Sequence, residues 1–170
     1  MRVTLERPSK KREDDFLAAV RRSRKLHRHL VTPPSSMEKY REFLQTGRNP
    51  RHENFFVVAM ATGDLAGVIN VEHIVRGALK SAFLGYFAFA PYAGNGLMRE
   101  GLQLVLDHVF SELKLHRLEA NIQPNNARSK ALVEGLGFRL EGYSKSYLKI
   151  SGRWRDHERW AILAEEWRRE

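Results

Sequence analysis

The hydrophobic pattern changes its period at Gly94-Asn95-Gly96, and this change limits the possible folds more than any other feature of the chain. Residues 81–90 are mostly apolar and aromatic, which predicts a long strand that ends at Pro91, where a ladder donor is missing. The apolar residues after the glycines recur at helical spacing: Leu97, Gly101, Leu102, Val105 and Val109. Residues 117–123 resume the pattern of a strand. This order predicts a β-loop-α-β unit.

The other segments predict a sheet with helices packed against it. Turn residues between apolar runs predict two hairpins, with strands at 55–61, 65–75, 138–150 and 154–163. A short edge strand is expected at residues 3–5, and helices are expected at 16–30, 36–45 and 126–136. The first of these helices has a basic side: Arg21, Arg24, Lys25 and Arg28. We expect an α/β (α+β) fold in a single domain, residues 1–170, with a mixed, mostly antiparallel sheet.

Composition excludes several kinds of chemistry. The chain has no cysteine, so it has no disulfide framework, no thiolate metal site and no cysteine nucleophile. Its seven histidines include no helical His-Glu-x-x-His pair, and we expect no metal site. No apolar run approaches the ~20 residues of a membrane helix, and the first eight residues lack the apolar core of a signal peptide. These features predict a cytoplasmic protein.

The net charge of +9 favours an anionic ligand or partner about as much as it favours a merely solvated basic surface. A nucleic-acid-binding domain would pair its basic patch with a recognisable reading motif, and the sequence has none. Binding to nucleic acid is therefore expected only through proximity to the ribosome.

Two glycines between a strand and a helix make a favourable place for an anion. Glycine allows the backbone to approach a ligand, and the free N–H groups of the first helical turn attract a phosphate. The alternative is a tight strand-to-helix connection without a ligand. The loop lacks the third glycine of a dinucleotide fingerprint and the Gly-Lys-Ser/Thr ending of a P-loop. Those two nucleotide classes are disfavoured.

A second cluster follows about thirty residues later. Asn126 and Ser129 begin a helix that ends in Leu136-Gly137-Phe138. Asn126 is either a helix cap or a ligand contact, and Ser129 is either an incidental small residue or a second contact. The combination of a glycine-started helix and an Asn-x-x-Ser helix at this separation is much rarer than either part alone.

Together the two clusters resemble the acetyl-CoA-binding core of the GNAT superfamily, and several patches in the same order are similar to RimJ-type protein N-terminal acetyltransferases. These patches are Ile74-Val75-Arg76-Gly77 with Leu84-Gly85-Tyr86, Gly94-Asn95-Gly96-Leu97-Met98, Leu115-His116-Arg117, Leu136-Gly137-Phe138 with Glu141-Gly142-Tyr143, and Gly152-Arg153-Trp154-Arg155-Asp156-His157. The first fifty residues match only in their strand-helix-helix outline.

The resemblance implies a GNAT fold whose strands splay around acetyl-CoA, which is the expected co-substrate. It places the cofactor on these residues: Phe87, Ala88, Phe89, Gly94, Asn95, Gly96, Leu97, Met98, Asn126 and Ser129. The general superfamily motif is Arg/Gln-x-x-Gly-x-Gly/Ala, and this chain departs from it because Ala93 fills the first position and Met98 the last. Because backbone N–H groups hold the pyrophosphate, the departure is compatible with binding.

The resemblance also implies direct attack by an amine on the thioester, without a covalent intermediate. Glu119 is the first candidate for the general base, with Asn121 on the same face of its strand; the alternative is a structural ion pair with Arg117. Glu72 and His73 are reserve bases. Ser129 and Tyr147 are the hydroxyl groups considered for the leaving thiolate. Some relatives carry a tyrosine acid on the later helix, and Val133 fills that position here.

Asp156 has two interpretations, contact with a substrate ammonium or a lock within the last hairpin paired with Arg153 or Arg155, and we favour the lock. The expected acceptor is a protein α-amino group, by resemblance that of a ribosomal protein. Two alternatives stay open: a small amine such as a polyamine, an aminoglycoside or an amino-acid derivative, or a non-catalytic CoA-binding module that contacts the ribosome. A monomer and a homodimer are equally compatible with the sequence.

Overall fold

The protein is described by a computed structural model that covers residues 1–167, so residues 168–170 of the expected domain lie outside the described part. The described strands are β1 Val3–Glu6, β2 Glu53–Ala59, β3 Leu65–Val75, β4 Ser81–Ala88, β5 Arg117–Ile122, β6 Arg139–Ile150 and β7 Arg153–Leu163. The described α-helices are α1 Glu13–Arg22, α2 Arg24–His27, α3 Met37–Thr46, α4 Leu97–Ser111 and α5 Ala127–Glu134. A turn of 3-10 helix, Lys10–Arg12, precedes α1.

All seven strands form one sheet in the order β1-β2-β3-β4-β5-β7-β6. Neighbouring strands are antiparallel except β4 and β5, which are parallel because the helix α4 connects them. The expected mixed, mostly antiparallel sheet with flanking helices is confirmed. The parallel pair lies in the middle of the sheet, and the glycine loop follows its first strand.

The sheet buries a different core on each face. On the side that we call the α1 face, Phe16 of α1 and Tyr40 of α3 pack with Phe56 and Phe89 of the sheet, and all four are fully buried. On the other side, called the α4 face, the apolar side of α4 packs on alternate residues of the same strands. Burial on both faces thus explains why β2 and the first half of β3 are almost continuously apolar.

Two glycines let α4 lie close to the sheet. A Cβ on Gly67 of β3 would be 2.2 Å from the sulfur of Met98, and a Cβ on Gly101 would be 2.6 Å from a methyl group of Val57. Larger residues at either position would push the start of α4 away from the sheet. These glycines therefore set the position of the loop that precedes α4.

The prediction of one continuous helix over residues 16–30 is wrong, because the helix is interrupted at Ser23. The hydroxyl of Ser23 accepts a hydrogen bond from the backbone N–H of Ala90 at 2.9 Å, and Arg22 donates to the carbonyl of Ala90 at the same distance. Both groups bind the segment that follows β4. The interruption is a tertiary effect, which the local helical pattern does not contain.

Candidate active site

The strands β4 and β5 pair over only four residues, from Ser81 with Arg117 to Leu84 with Ala120. Beyond that point β4 continues to pair with β3, and β5 continues to pair with β7, but the two no longer pair with each other. The sheet therefore opens at its centre. We call this opening the β4–β5 split, and it lies at the end of β4 from which the glycine loop departs.

Backbone groups of β4 are directed into the split. The N–H of Phe89 donates to the carbonyl of Ala66 on β3 at 2.8 Å. Because alternate residues of an antiparallel strand turn their N–H and C=O groups to opposite neighbours, Phe87 also bonds toward β3, while Tyr86 and Ala88 turn toward the split. Of the three residues expected to line the cofactor on β4, Ala88 is the one whose N–H is available there.

His27 of α2 is hydrogen-bonded to the last residue of this strand. Its Nε2 lies 2.6 Å from the carbonyl oxygen of Ala88, so Nε2 carries the proton and donates it. The other ring nitrogen, Nδ1, is buried and has no hydrogen-bond partner among the described residues. Burial lowers the pKa of His27, and the hydrogen bond to Ala88 opposes this shift. The imidazole is neutral and serves as a donor to β4.

The glycine loop has the backbone geometry of an open helix start. Gly94 and Gly96 have φ values of 83° and 88°, and Gly96 occupies the N-cap without a capping side chain. The first N–H groups of α4 therefore lack side-chain acceptors. Leu97 and Met98 turn their side chains into the core, so they offer only their backbone to a ligand, and Asn95 is exposed.

The helix α5 begins on the other side of the split. The side chain of Asn126 accepts a hydrogen bond from the N–H of Ser129 at 3.2 Å, so Asn126 is the helix cap. The hydroxyl of Ser129 is bonded to that of Tyr86 at 2.6 Å, and this contact spans the split from α5 to β4. Burial raises the pKa of Tyr86 to about 12, so the phenol stays protonated at neutral pH.

A cavity of about 720 Å³ lies at the mouth of the split, between α2 and the start of α5. Its lining includes Arg22, Lys25 and Arg128 as well as Asn126. The three cations favour an anionic ligand. A cavity of about 770 Å³ lies elsewhere, between the segment after β1 and α3, and does not contact the split.

Comparison with known proteins places the chain in a family. Residues 2–139, more than half of the chain, match the family model described as acetyltransferase (GNAT) domain. The chain belongs to the GNAT family. It is 44% identical over 112 residues to the probable N-acetyltransferase YjcK of Bacillus subtilis, an alignment that covers 65% of this chain and 62% of that protein.

Two further matches are a ribosomal-protein acetyltransferase and a RimJ structure. The chain is 39% identical over 104 residues to the [ribosomal protein uS5]-alanine N-acetyltransferase of Escherichia coli, which covers 61% of this chain and 54% of that enzyme. The structure of Mycobacterium smegmatis RimJ in complex with CoA-disulfide superposes with a TM-score of 0.87 and 29% sequence identity, covering 96% of this chain and 83% of that one. The alignments with the two curated relatives thus span less than two thirds of their lengths.

In this GNAT chain Glu119 is held by an ion pair. Arg117 donates to its carboxylate at 2.7 Å and also binds Glu141 of β6. Hydrogen bonds with Glu141 and Glu119 raise the pKa of Arg117. Glu119 and Asn121 do share the α1 face, as strand alternation predicted, since Glu119 is paired with Phe83. The oxygen of the Asn121 side chain is buried without a partner in the described part of the chain.

The other candidates lie farther from the split. Glu72 is half-buried and paired with Phe83, whereas His73 is exposed at a break in the β3–β4 register, with φ 51°. The ring of Tyr147 contacts His157 on the last hairpin.

Asp156 makes contacts within the hairpin that the sequence did not specify. It accepts from the Tyr143 hydroxyl at 2.7 Å and the Ser146 N–H at 2.8 Å. The lock within the hairpin exists, but these partners replace Arg153 and Arg155.

The sequence did not identify Tyr86 or His27 as parts of the site. Tyr86 belongs to a matched patch, but its partner Ser129 is 43 positions away. His27 occupies an apolar helical position, which gives no indication of the Ala88 carbonyl 61 positions away.

Within residues 1–167 no cluster of His, Asp and Glu is suited to hold a metal ion. None of the described helices combines the length and hydrophobicity needed to cross a membrane.

Proposed function

We propose that the protein transfers an acetyl group from acetyl-CoA to a protein N-terminal α-amino group. The observation that carries the proposal is the β4–β5 split, whose free β4 backbone groups lie beside the uncapped start of α4. The similarity to the E. coli enzyme and to RimJ supports the choice of acceptor. A cytoplasmic location and a monomeric or homodimeric state stay predictions of the sequence.

The residues at the split fit an acyl-CoA. The N–H groups of residues 94–98 would hold its pyrophosphate, because the two glycines adopt left-handed φ values and the helix start has no competing cap. Phe87 and Phe89 use their rings for packing on the α1 face, so β4 would contact the ligand mainly through the backbone of Tyr86 and Ala88. Acetyl-CoA supplies the activated acetyl group.

Attack by the amine nitrogen on the thioester carbon forms the amide bond and breaks the carbon–sulfur bond. The amine must lose a proton, and an α-amino group with a pKa of about 7.7 to 8.0 needs only a mild base. Glu119 remains our proposed base, acting through water, with Arg117 as its counter-ion. The Ala88 N–H would stabilise the oxyanion, which is typically worth about 3 kcal/mol. Ser129, bonded to the protonated Tyr86, would donate a hydrogen bond to the departing thiolate.

The basic surface of α1 and α2 favours a macromolecular or acidic acceptor over a cationic small amine. Lys25 lines the cavity at the mouth of the split together with Arg22. The basic side expected from the sequence is exposed to solvent: Arg21, Arg24, Lys25 and Arg28. Positive charge at this entrance repels a polyamine and attracts an acidic polypeptide.

The test is acetyl transfer to a mixed panel of N-terminal peptides, polyamines and aminoglycosides, with the acetylated atom located by fragmentation mass spectrometry. We expect α-acetylated peptides and unmodified small amines. If only small amines are acetylated, the proposed reaction stands, but the proposed protein acceptor is wrong. Acetyl-CoA binding without any product would favour the non-catalytic module.

The same assay tests the proposed residues. Glu119→Gln is expected to lower kcat about 100-fold, as is typical of a lost general base, while acetyl-CoA affinity is kept. Ser129→Ala is expected to have a smaller effect on kcat. Glu38→Gln removes an exposed carboxylate on α3 and serves as the control.

A further inference from the structure

The central strand β4 carries a glycine that no packing contact explains. A Cβ on Gly85 would meet no atom within 4 Å, in contrast to Gly67 and Gly101, where a Cβ would collide with side chains. The φ of Gly85 also lies outside the left-handed range that favours glycine. The backbone therefore does not require glycine, and the absent side chain leaves open space above the strand.

This space, which we call the Gly85 hollow, opens on the α1 face of the split. Phe87, two residues along β4, points to the same face, because its ring lies 5.3 Å from that of His27 on α2. Gly85 is the first residue of β4 after Leu84, where pairing with β5 ends. The hollow is therefore at the level where the sheet opens.

Two asparagine side chains flank the hollow. Asn70 of β3 is directly paired with Gly85. Asn121 of β5 follows Ala120, the partner of Leu84, so it stands at the level of Gly85 on the opposite side of the split. Each side-chain oxygen is buried without a hydrogen-bond donor among residues 1–167. A buried acceptor without a donor is unfavourable, so each is a candidate for a bond to a ligand.

We infer that the Gly85 hollow receives the attacking nitrogen of the acceptor and that the side-chain oxygens of Asn70 and Asn121 accept hydrogen bonds from it. The ligand class is a primary amine, since the two orphan atoms are acceptors and need N–H donors. A neutral primary amine has two N–H groups for these oxygens and keeps its lone pair for the attack. This assignment rests on the proposed transfer to an amine, but it does not depend on whether the amine belongs to a protein.

Gly85→Ala tests the hollow directly. The methyl group has room and the backbone accepts it, so the variant is expected to fold and to bind acetyl-CoA with the wild-type affinity, measured by calorimetry. With the amine substrate of the wild type, kcat/KM is expected to fall on the order of 100-fold, because the nitrogen is displaced from its attack position. Gly47→Ala is the matched control, since its Cβ would make ordinary contacts remote from the split.

Two asparagine variants test the flanking groups. Asn70→Leu and Asn121→Leu are each expected to lower kcat/KM for the amine about tenfold, the effect of one lost hydrogen bond, with acetyl-CoA affinity kept. Asn54→Leu is the control, because Asn54 lies opposite Asn70 on β2 but donates its own hydrogen bond to Thr46 at 2.9 Å. It is expected to lower stability without changing KM.

The outcomes separate the inference from the proposed function. If Gly85→Ala has the same kcat/KM as the wild type, the inference is overturned. If the variant binds acetyl-CoA more weakly, the inference is also overturned, because the hollow would then belong to the cofactor. If the wild type acetylates only small amines, the protein acceptor is wrong, and the same variants then test the hollow with the amine that reacts. If the wild type acetylates no amine, the proposed function fails and the inference fails with it.

Discussion

At the scale of single residues, His27 links the helix α2 to the end of β4 through one hydrogen bond. Its neutral ring donates to Ala88, and its second nitrogen has no acceptor for an additional proton in the described part of the chain. Protonation would place a charge in a buried site beside Phe87 and Phe89. The folded state therefore resists protonation more than the unfolded chain does.

This difference predicts an acid-sensitive stability. Because the folded pKa of His27 is below its ordinary value of 6.5, the unfolded state binds more protons as the pH falls below 6.5. The contribution of the neutral ring is fully present above pH 6.5 and is lost as the pH falls toward the folded pKa. Urea unfolding at several pH values should show this loss in the wild type and less of it in His27→Gln, which keeps a donor for Ala88. Equal pH dependence in both proteins would contradict the assignment.

The sequence identified the residues whose partners lie within a few positions along the chain. Asn126 caps α5 through the N–H of a residue three positions later, and the Asn-x-x-Ser pattern contains that contact. The left-handed φ values of Gly94 and Gly96 agree with the predicted loop. The roles of Ser23 and Tyr86 were not predictable, because their partners lie 67 and 43 positions away and adjoin only in the folded sheet.

At the scale of elements, two glycines at the contact between α4 and the sheet determine how close the helix lies. Gly67 and Gly101 allow the helix to approach β2 and β3, and the first turn of α4 then meets the end of β4. The hydrophobic period predicted the helix but not its distance from the sheet. That distance depends on how facing surfaces interlock, and a one-dimensional pattern does not contain it.

Gly101→Ala is expected to destabilise the protein by about 1 kcal/mol. The gain in helix propensity, about 1 kcal/mol, is outweighed by overpacking against the buried Val57, which costs about 1–3 kcal/mol. The clash is relieved in the double variant with Val57→Ala. A double-mutant cycle by chemical unfolding should therefore give a favourable coupling of about 1 kcal/mol or more. If the effects of the two substitutions on the free energy of unfolding are additive, α4 shifts to make room for the added methyl group and the contact with Val57 is not overpacked.

At the scale of the whole molecule, the chain carries a net charge of +9, and part of its positive charge lies where an acceptor would approach. Three exposed cations, Arg22, Lys25 and Arg128, line the cavity at the mouth of the split. Long-range attraction accelerates association with an acidic partner and weakens as salt is added, since the screening length is about 10 Å at 0.1 M.

An acidic acceptor peptide should therefore show a salt-dependent rate. We expect kcat/KM to fall roughly fivefold between 50 and 300 mM salt, and a neutral peptide with the same N-terminal residue to change little. Removing two charges that line the cavity, with Lys25→Gln and Arg128→Gln, should reduce the dependence. Arg48→Gln with Arg51→Gln removes the same charge from a distant exposed loop and is the control. Equal salt dependence in both double variants would assign the effect to net charge alone.

The location of the candidate site was expected from the family resemblance, which implies that two strands splay around the cofactor. Its contacts were expected only in part. The sequence named Glu119 as the first candidate base and an ion pair with Arg117 as the alternative, and the structure contains that pair. The second partner of Arg117, Glu141, was not predictable, because it depends on β6 lying beyond β7 in the sheet. Asn70 gave no signal, because an asparagine within an apolar strand has many structural explanations.

The alternation of β4 at the split has a consequence for amide hydrogen exchange. The N–H groups of Gly85, Phe87 and Phe89 belong to the ladder with β3 and should exchange slowly, while those of Tyr86 and Ala88 should exchange quickly. One strand thus carries two exchange classes in alternate residues. Bound acetyl-CoA would take the place of a neighbouring strand beside β4. If adding it slows amide exchange only at Tyr86 and Ala88, the cofactor binds to the edge of β4 that faces the split.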